Sequence, residues 1–350
     1  MARMTVIRDA AAIGLLLLVA RLAPVAAAQE ISPEEAAADM LTPQVEQGIA
    51  RGLAWLASRQ QADGAFGSGA YRGNVAVTAL SGMAMLAGGS TPNRGPYGEQ
   101  VARAVDYLLA QAQPSGFITA EPWASHGPMY GHGFATLFLA ECYGMTPESE
   151  VRQKLAAAVR LIVNSQNEQG GWRYFPVRND ADISVTVCQV MALRAARNAG
   201  IHVPSETIDR SIAYVKKCQN PDGGFRYMLE QEGDSAPARS AAGLVSLYSA
   251  GIYEGPEIAE AIDYLLKFMP EPDSPPQQAY FFYGQYYAIQ AMWQAGGLPW
   301  RRWYPAISEQ LLAQQRQDGS FSSQICPEYA TGMACIVWQL PENHLPIFQR

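Results

Sequence analysis

Two carboxylates stand two positions apart at the start of an apolar segment near residues 182–199. Asp180 and Asp182 are separated only by an alanine, and Ser184 follows closely. When neighbouring carboxylates are buried, one of them can be held in its protonated form and act as an acid. Asp182 is equally well placed to cap the first turn of a helix, a common role for Asp at this position. Acid catalysis and helix capping are both open.

Two histidines lie near the start of another apolar segment. His132 stands between two glycines, where a gap in the packing could let it face a cavity as a base or a ligand, although a histidine satisfied by its own helix start fits the same pattern. His126 lies in a Trp-Ala-Ser-His-Gly-Pro loop at the predicted rim. We expect His126 and Tyr130 to contact a ligand and His132 to orient or accept a proton.

The fifth apolar segment is unusually rich in aromatic residues. At 3.6 residues per turn only some of them share one helix face, and Tyr280, Tyr283 and Tyr287 form that set. A pocket lined by them suits an apolar ligand with a polar end. The alternative is that most of the rings fill space between helices. The seven residues are Tyr280, Phe281, Phe282, Tyr283, Tyr286, Tyr287 and Trp293.

A repeated motif, Q-x3-G-x-[FW], organises these segments. The closing aromatic residues, at 66, 117, 172, 225 and 321, are 51 to 55 residues apart, except for a last interval of 96 residues that is about two periods. The Gln can donate its amide to unpaired backbone groups at a helix end, the Gly permits a left-handed turn, and the aromatic residue packs between hairpins. The copies are 60–66, 166–172, 219–225 and 315–321, with a shortened one at 113–117.

Amphipathic and apolar helical segments alternate along the chain. Because an amphipathic segment begins the series and an apolar one ends it, the two can pair and close a ring, whereas an open solenoid needs polar caps. The pattern predicts an all-α (α/α)6 toroid of six hairpins, with inner and outer helix rings. The amphipathic segments lie near 44–60, 97–112, 147–166, 205–218, 257–269 and 302–315, and the apolar ones near 74–87, 130–144, 182–199, 236–250, 279–295 and 328–340.

The composition and the N-terminal residues indicate which partners and which cell compartment to expect. The net charge of −7 comes without a basic stripe, which argues against nucleic acid as a partner. Arg3 and Arg8, an apolar run and the Ala26–Ala28 triplet are typical of a signal peptide cleaved near Ala28, so we expect export to the periplasm or cell exterior, with no transmembrane span in the mature chain.

The five cysteines are expected to be buried. The predicted divisions are a signal peptide at 1–28, a mobile lead-in at 29–42, the toroid at 43–340 and a C-terminal tail at 341–350.

These repeats resemble the prenyltransferase and squalene-oxidase repeat superfamily, which includes the terpenoid class II cyclases and the β subunits of protein prenyltransferases. The resemblance covers about residues 43–340. Three features are similar to a bacterial branch of exported squalene-cyclase-like proteins: Met-Tyr-Gly-His-Gly at 129–133, Asp-Ile-Ser-Val-Thr at 182–186, and the aromatic fifth segment followed by Trp300.

The resemblance implies a chemistry for the acidic pair. Class II cyclases protonate an alkene or epoxide with an Asp-x-Asp-Asp acid, and 180–183 matches it except for Ile183 at the last position. The implied roles are Asp182 as acid, helped by Asp180, and Tyr283 and Tyr287 as a cavity wall whose π faces would stabilise a carbocation by roughly 0.5–2 kcal/mol each.

The metal signatures of the superfamily are missing from the sequence. No Asp-x-Cys pair for zinc and no D-D-x-x-D clamp for magnesium occurs, and no spacing singles out His126, His132, Asp182 and Cys326 as metal ligands. We therefore expect no metal and no cofactor.

Three functions remain open, and with them whether the protein is an enzyme. The first is binding of an isoprenoid or other apolar small molecule in the central cavity of the ring, with acid-initiated cyclase chemistry. The second is a non-catalytic platform for another protein of the cell envelope. The third is polysaccharide binding or cleavage, suggested by toroids of similar shape and by Trp123 and Trp303 at the expected rim.

Overall fold

A computed structural model of the chain describes residues 40–120, 127–146, 149–271 and 280–349. The predicted signal peptide, most of the predicted lead-in, His126 and Trp123 lie outside these ranges. Within them the chain forms twelve α-helices, and their bounds agree closely with the alternating segments of the sequence. They are α1 Pro43–Arg59, α2 Val75–Ala87, α3 Gly98–Ala110, α4 Pro128–Cys142, α5 Ser149–Ser165, α6 Ile183–Asn198, α7 Ser205–Lys217, α8 Pro237–Ser249, α9 Pro256–Leu266, α10 Phe281–Ala295, α11 Gly297–Gln314 and α12 Pro327–Gln339.

The even-numbered helices form a closed inner ring. Each packs against the next one in the series, and α12 packs against α2, so the last hairpin meets the first. The odd-numbered helices pack outside them. At the seam, Glu328 on α12 accepts a hydrogen bond from Ser68 at 2.8 Å and pairs with Arg59 at 3.3 Å. The all-α toroid prediction is confirmed.

The Gln of the repeat motif links neighbouring hairpins. Its amide donates to the carbonyl of the motif Gly four residues on and to a carbonyl early in the next outer helix, as Gln166 does to Gly170 at 2.8 Å and to Thr207 at 2.9 Å. Gln315 makes the same pair of bonds to Gly319 and to Gly48 on α1, which closes the ring. The expected partner was the Gln's own helix end, but the amide bridges two hairpins.

The motif glycine is required by both backbone angle and space. Gly170 has φ of 101°, and a Cβ there would lie 2.2 Å from the carbonyl oxygen of Arg210 on the next outer helix. Gly64, Gly223 and Gly319 repeat this close approach. The aromatic residue that follows is buried, as predicted, at Phe66, Trp172, Phe225 and Phe321.

The C-terminal tail belongs to the folded unit. Leu345, Ile347 and Phe348 are each at most 3% exposed, and the short helix Pro346–Phe348 packs against α6. His344 lies 2.8 Å from the carbonyl of Ala87, the last residue of α2. The tail therefore covers the end of the ring at which the inner helices finish.

No helix in the described ranges is long and apolar enough to cross a membrane. All five cysteines are buried, as their apolar surroundings predicted, and none of them forms a disulfide.

Candidate functional site

The inner helices all begin at the end of the ring opposite the tail, which we call the mouth. Each presents a partly exposed residue within its first few positions, whereas the residues below are largely buried. Three of the six are tyrosines, so the mouth has aromatic faces and hydroxyl groups. The six are Ala76, Tyr130, Ser184, Arg239, Tyr283 and Tyr329.

Asp182 is the N-cap of α6 and has no exposed surface. One carboxylate oxygen accepts the backbone N–H of Val185 at 2.8 Å, and the other accepts the hydroxyl of Tyr227 at 3.1 Å. Burial raises the pKa of the Asp182 carboxyl to about 6, while the bonds from Val185 and Tyr227 and the charge of Arg173 act in the opposite direction. Capping and proton storage therefore coexist at this residue.

Arg173 joins the two predicted acids. Its guanidinium bonds to Asp180, and its Nε lies 3.6 Å from the buried Asp182 carboxylate, which is an ion-pair distance. The guanidinium carbon also lies 4.9 Å from the ring centroid of Tyr174 and 5.9 Å from that of Tyr227, within cation–π range. Asp180 thus acts on Asp182 through a shared arginine.

Tyr174 and Tyr227 extend the polar contacts of Asp182 outward. Their hydroxyl oxygens are 2.6 Å apart, and both side chains are partly exposed. The Tyr174 ring centroid lies 6.3 Å from that of Tyr130 at the start of α4. A continuous hydrogen-bonded chain therefore runs from a fully buried carboxylate to the accessible side of the molecule.

The tyrosines of α10 reach across the ring. Tyr283 donates its hydroxyl to the carbonyl of Ser184 at 3.0 Å, and Tyr287 lies 3.2 Å from the Cys188 sulfur, although α6 and α10 are separated by α8 in the inner ring. Tyr286 contacts Phe134 on the opposite helix, with ring centroids 6.0 Å apart. Tyr286 and Tyr287 are fully buried and Tyr283 is partly exposed. The tyrosines predicted to form a cavity wall therefore mainly close the ring beneath the mouth. We call this layer of buried side chains the floor, and the mouth above it is shallow.

Cys188 in this floor is buried, and its thiol has a raised pKa. Burial, together with the charge of Asp182, raises the pKa of the thiol to about 12, against the lowering effect of the Tyr287 hydroxyl. No group of three or more His, Cys, Asp or Glu side chains in the described ranges is arranged to hold a metal ion.

His132 has both ring nitrogens engaged by backbone groups. Nδ1 accepts the N–H of Ile118 at 3.2 Å, and Nε2 lies 3.3 Å from the carbonyl of Ala158, which fits a neutral ring with its proton on Nε2. Complete burial lowers the pKa of His132 to about 4. The side chain thus faces the outer helices and a repeat loop, away from Asp182.

The other repeats explain this position of His132. The N–H of each buried motif aromatic donates to an inner-helix hydroxyl, and His132 replaces that hydroxyl in the second repeat. Ile118, and not Phe117 as the shortened motif suggested, takes the place of the buried aromatic there, since it lies two residues after Gly116 and is fully buried. The four hydroxyl pairs are Phe66 with Thr78, Trp172 with Thr186, Phe225 with Ser240 and Phe321 with Thr331.

The remaining predicted residues divide between the mouth and its surroundings. Tyr130 is partly exposed at the mouth, and burial raises its pKa well above the usual value. Tyr280 is 71% exposed in a left-handed conformation just before α10. Trp303, expected at an exposed rim, is instead buried and donates to Gln285 at 3.1 Å.

Sequence reasoning missed Arg173, Tyr174 and Tyr227. A signal was present, because Arg-Tyr follows the motif aromatic in two consecutive repeats, at 173–174 and 226–227. Equivalent positions in adjacent hairpins of a ring are neighbours, so the two tyrosines could have been paired from the repeat alignment.

Comparison with known proteins agrees with this architecture. A family model described as the prenyltransferase alpha-alpha toroid domain matches residues 37–270. A drimenyl diphosphate synthase of Streptomyces showdoensis is 29% identical over 189 residues, covering 53% of this chain and 33% of that protein. A squalene–hopene cyclase of Zymomonas mobilis subsp. mobilis is 25% identical over 226 residues, covering 57% and 33%. The chain thus spans about a third of the length of these curated relatives.

Solved structures show the same fold at low identity. The type II terpene cyclase MstE from Scytonema, in complex with geranylgeranyl dihydroxybenzoate, has a TM-score of 0.59 and 17% identity over 89% of this chain and 99% of that one. An α-1,6-mannanase of Salegentibacter sp. HEL1_6 has a TM-score of 0.63 and 8% identity over 85% and 99%. One architecture therefore occurs with isoprenoid and with carbohydrate ligands.

Proposed function

The chain belongs to the prenyltransferase alpha-alpha toroid family, and on that premise we propose that it binds an isoprenoid or similar apolar chain at the mouth of its ring. The relatives named as a drimenyl diphosphate synthase and a squalene–hopene cyclase, and the substrate complex of MstE, support this ligand class over a carbohydrate. The burial of Trp303 removes one of the two tryptophans that had suggested a polysaccharide.

We assign acid-initiated, cyclase-type chemistry to the mouth, with Asp182 as the source of the proton. The observation that carries this assignment is a fully buried carboxyl, with its pKa raised to about 6, beneath a tyrosine-lined opening. A carboxyl in this state holds its proton in mildly acidic solution and delivers it in a site of low dielectric. In an apolar ligand, the group that such an acid can protonate is an alkene.

The neighbouring residues take supporting roles in this proposal. Asp180 holds Arg173 against Asp182, and Tyr130, Tyr280 and Tyr283 contact the ligand. His126, which lies outside the described residues, keeps its predicted role as a ligand contact. Tyr287 forms the floor. We give His132 a structural role, because both its nitrogens already bind backbone groups.

A non-catalytic platform is the second candidate, and one observation favours it. Both oxygens of Asp182 are occupied by groups of the protein, and the centre of the ring is filled by the tyrosines of α10. A buried capping residue needs no substrate to explain it. The partner would then be another protein of the cell envelope.

Both candidates are proposed to act outside the cytoplasm. The charged start, apolar run and small residues before Gln29 support cleavage near Ala28 and release to the periplasm or cell exterior. Mass spectrometry of the protein recovered from the periplasm would give the mature N-terminus. An intact residue 1 in that fraction, or retention in the cytoplasm, would rule out this processing.

The decisive experiment compares the purified protein with two variants on squalene, farnesyl diphosphate and geranylgeranyl diphosphate at pH 5 to 8. Asp182→Asn keeps the size of the side chain and removes the acid, and Asp106→Asn changes an exposed carboxylate on α3 as the matched control. Product formation is followed by gas chromatography and mass spectrometry. We expect turnover by the wild type and Asp106→Asn, and a loss of at least 100-fold in Asp182→Asn.

Ligand binding is measured in parallel through protein fluorescence. Binding without turnover in every variant would remove the acid chemistry and keep the apolar-ligand site. Neither binding nor turnover would leave the platform as the function to pursue, beginning with capture of envelope proteins on the immobilised ring.

A further inference from the structure

Substrate has no direct path to the Asp182 carboxyl. Its two oxygens accept the Val185 N–H and the Tyr227 hydroxyl, and the residue has no exposed surface. A proton must move over a hydrogen bond or a carbon must approach to about van der Waals distance for transfer to occur. An alkene at the mouth would therefore meet the tyrosines before the acid.

The two tyrosines are placed in series between the acid and the accessible side of the molecule. The Tyr227 hydroxyl is 3.1 Å from Asp182 Oδ2, and the Tyr174 hydroxyl is 2.6 Å from that of Tyr227. The second distance lies within the usual range for O–H···O hydrogen bonds, about 2.5–3.0 Å. Both rings are partly exposed, and Tyr174 neighbours Tyr130 of the mouth.

We propose that Tyr174 and Tyr227 form a proton relay, so that the Tyr174 hydroxyl, and not the Asp182 carboxyl, is the group that protonates the substrate. This inference rests on the proposed function and assigns two further catalytic residues to it. The substrate class that fits is an alkene or epoxide whose end reaches no deeper than the first turn of the inner helices.

The transfer balances as three linked steps. The substrate π electrons take the Tyr174 proton and form a C–H bond, Tyr174 takes the Tyr227 proton, and Tyr227 takes the proton of the Asp182 carboxylic acid. Both tyrosines end neutral, Asp182 ends as a carboxylate, and the adjacent substrate carbon is a cation. Loss of a proton from the cation to water, and return of a proton from water through the same hydroxyls, restores Asp182.

Arg173 is a positioning residue for this relay. Its guanidinium lies over the faces of both tyrosine rings and within ion-pair distance of Asp182, so it fixes the rings and stabilises the carboxylate that the transfer leaves behind. Burial raises the pKa of the Asp182 carboxyl to about 6, so this carboxyl is protonated only in mildly acidic solution.

The relay is tested with Tyr174→Phe and Tyr227→Phe in the turnover assay above, with Tyr143→Phe at the far end of α4 as the matched control. Each relay variant is expected to lose at least 100-fold in kcat with KM within about threefold, because the ring is kept and only the hydroxyl is lost. The double variant should be no slower than the single ones, because either change breaks the same chain. Circular dichroism confirms folding, and Tyr174→Phe alone suffices should Tyr227→Phe fail to fold.

The outcomes separate the relay from the function on which it rests. Tyrosine variants that keep half of the wild-type kcat, beside an inactive Asp182→Asn, would overturn the relay and leave Asp182 as the acid. A wild-type protein that converts none of the three probes would overturn both the relay and the acid chemistry assigned to Asp182.

A titration tests the relay without turnover. Ionisation of Asp182 reverses the direction of the hydrogen bond from Tyr227, so the tyrosine ultraviolet difference spectrum should change with a midpoint near pH 6. We expect this change to vanish in Asp182→Asn and in Tyr227→Phe and to persist in Tyr143→Phe. A wild-type spectrum that is flat between pH 5 and 7, or a change that survives in Tyr227→Phe, would overturn the relay.

Discussion

Each end of the ring carries a buried carboxyl group whose pKa is influenced by the charge of an arginine. At the mouth these are Asp182 and Arg173, and at the end covered by the tail they are Glu141 and Arg194. Burial raises the pKa of both carboxyls, to about 6 for Asp182 and about 7 for Glu141, where the Ile347 backbone and the charge of Arg194 act in the opposite direction. Both ends therefore carry a buried carboxyl with a raised pKa and an arginine whose charge lowers it.

The contacts around Glu141 and Arg194 hold the tail in place, and we call these two residues the clamp. The contacts of Asp182 and Arg173 lead instead to accessible side chains. Arg194 donates to the carbonyls of Tyr248 at 3.2 Å and Gln349 at 2.5 Å, and Gln294 donates to that of Phe348 at 2.6 Å. These bonds fix the tail over the pair. At the mouth the corresponding contacts lead to partly exposed tyrosines. The two acids therefore differ in the accessibility of their surroundings rather than in the presence of a raised pKa.

The largest expected effect is at the covered end. Phe348→Ala should lower the free energy of unfolding by about 3–5 kcal/mol, because it removes a ring that is 3% exposed and leaves a cavity under the tail. Leu298→Ala, at a side chain 61% exposed, is the control and should change stability by less than about 0.5 kcal/mol. Urea denaturation measures both. Equal costs would mean that the tail contributes no packing at the covered end.

The second effect is a pH dependence that Glu141 contributes. Its folded pKa of about 7 lies above the ordinary value of 4.5, so the folded state holds the proton more tightly, and the stability this provides is present below pH 4.5 and lost as pH rises through 7. A shift of this size corresponds to on the order of 3 kcal/mol. Glu141→Gln should therefore lose less stability than the wild type between pH 6.5 and 8.5.

His132 defines the pH range for that measurement. Its lowered pKa has the opposite sign, because the unfolded state binds the proton more tightly, and its stabilisation is lost as pH falls from 6.5 towards 4. Chemical denaturation from pH 6.5 upward avoids most of this contribution. Parallel curves for the wild type and Glu141→Gln there would contradict a raised pKa at the clamp.

The third effect compares two helix caps, one at the mouth and one beside it. Asp182→Ala and Asn74→Ala each remove the side chain that caps an inner helix, which costs about 1 kcal/mol. Asp182→Ala also leaves the Tyr227 hydroxyl and Arg173 without the carboxylate, so we expect it to cost about 1 kcal/mol more. Equal losses in urea denaturation would reduce Asp182 to a cap.

The fold was predictable because every hairpin carries the same helix periodicity and the same repeat motif, and both can be recognised in a short stretch of sequence. Only nearby sequence was needed to predict the motif glycines, the buried aromatic residues and the six alternating helix pairs. The bond from Gln315 to Gly48 was harder to foresee, because it joins residues 267 positions apart, but ring closure implied that such a contact exists.

The site was predicted less well because its contacts cross the ring. Tyr287 shares a helix face with Tyr283, but whether that face lines a cavity or fills it depends on Cys188, which lies 99 positions away. His132 looked like a base because no pattern within its own segment shows that it replaces the threonine or serine of the other repeats. Asp182 was found because a helix start can be read locally, whereas its link to Tyr227 depends on the next hairpin.

The smallest expected effect is at the outer acid of the mouth, Asp180. Its side chain is 41% exposed and that of Arg173 is 27% exposed, so water and salt screen the ion pair, and Asp180→Asn should lower stability by less than about 1 kcal/mol. The loss should shrink further between 0.05 and 0.5 M NaCl, because exposed charges interact over a shorter range at high ionic strength. Thermal melts at the two salt concentrations measure it. A cost above about 2 kcal/mol that salt does not change would mean that Asp180 behaves as a buried partner, as Glu141 does at the clamp, and the contrast between an accessible and a covered end would no longer hold.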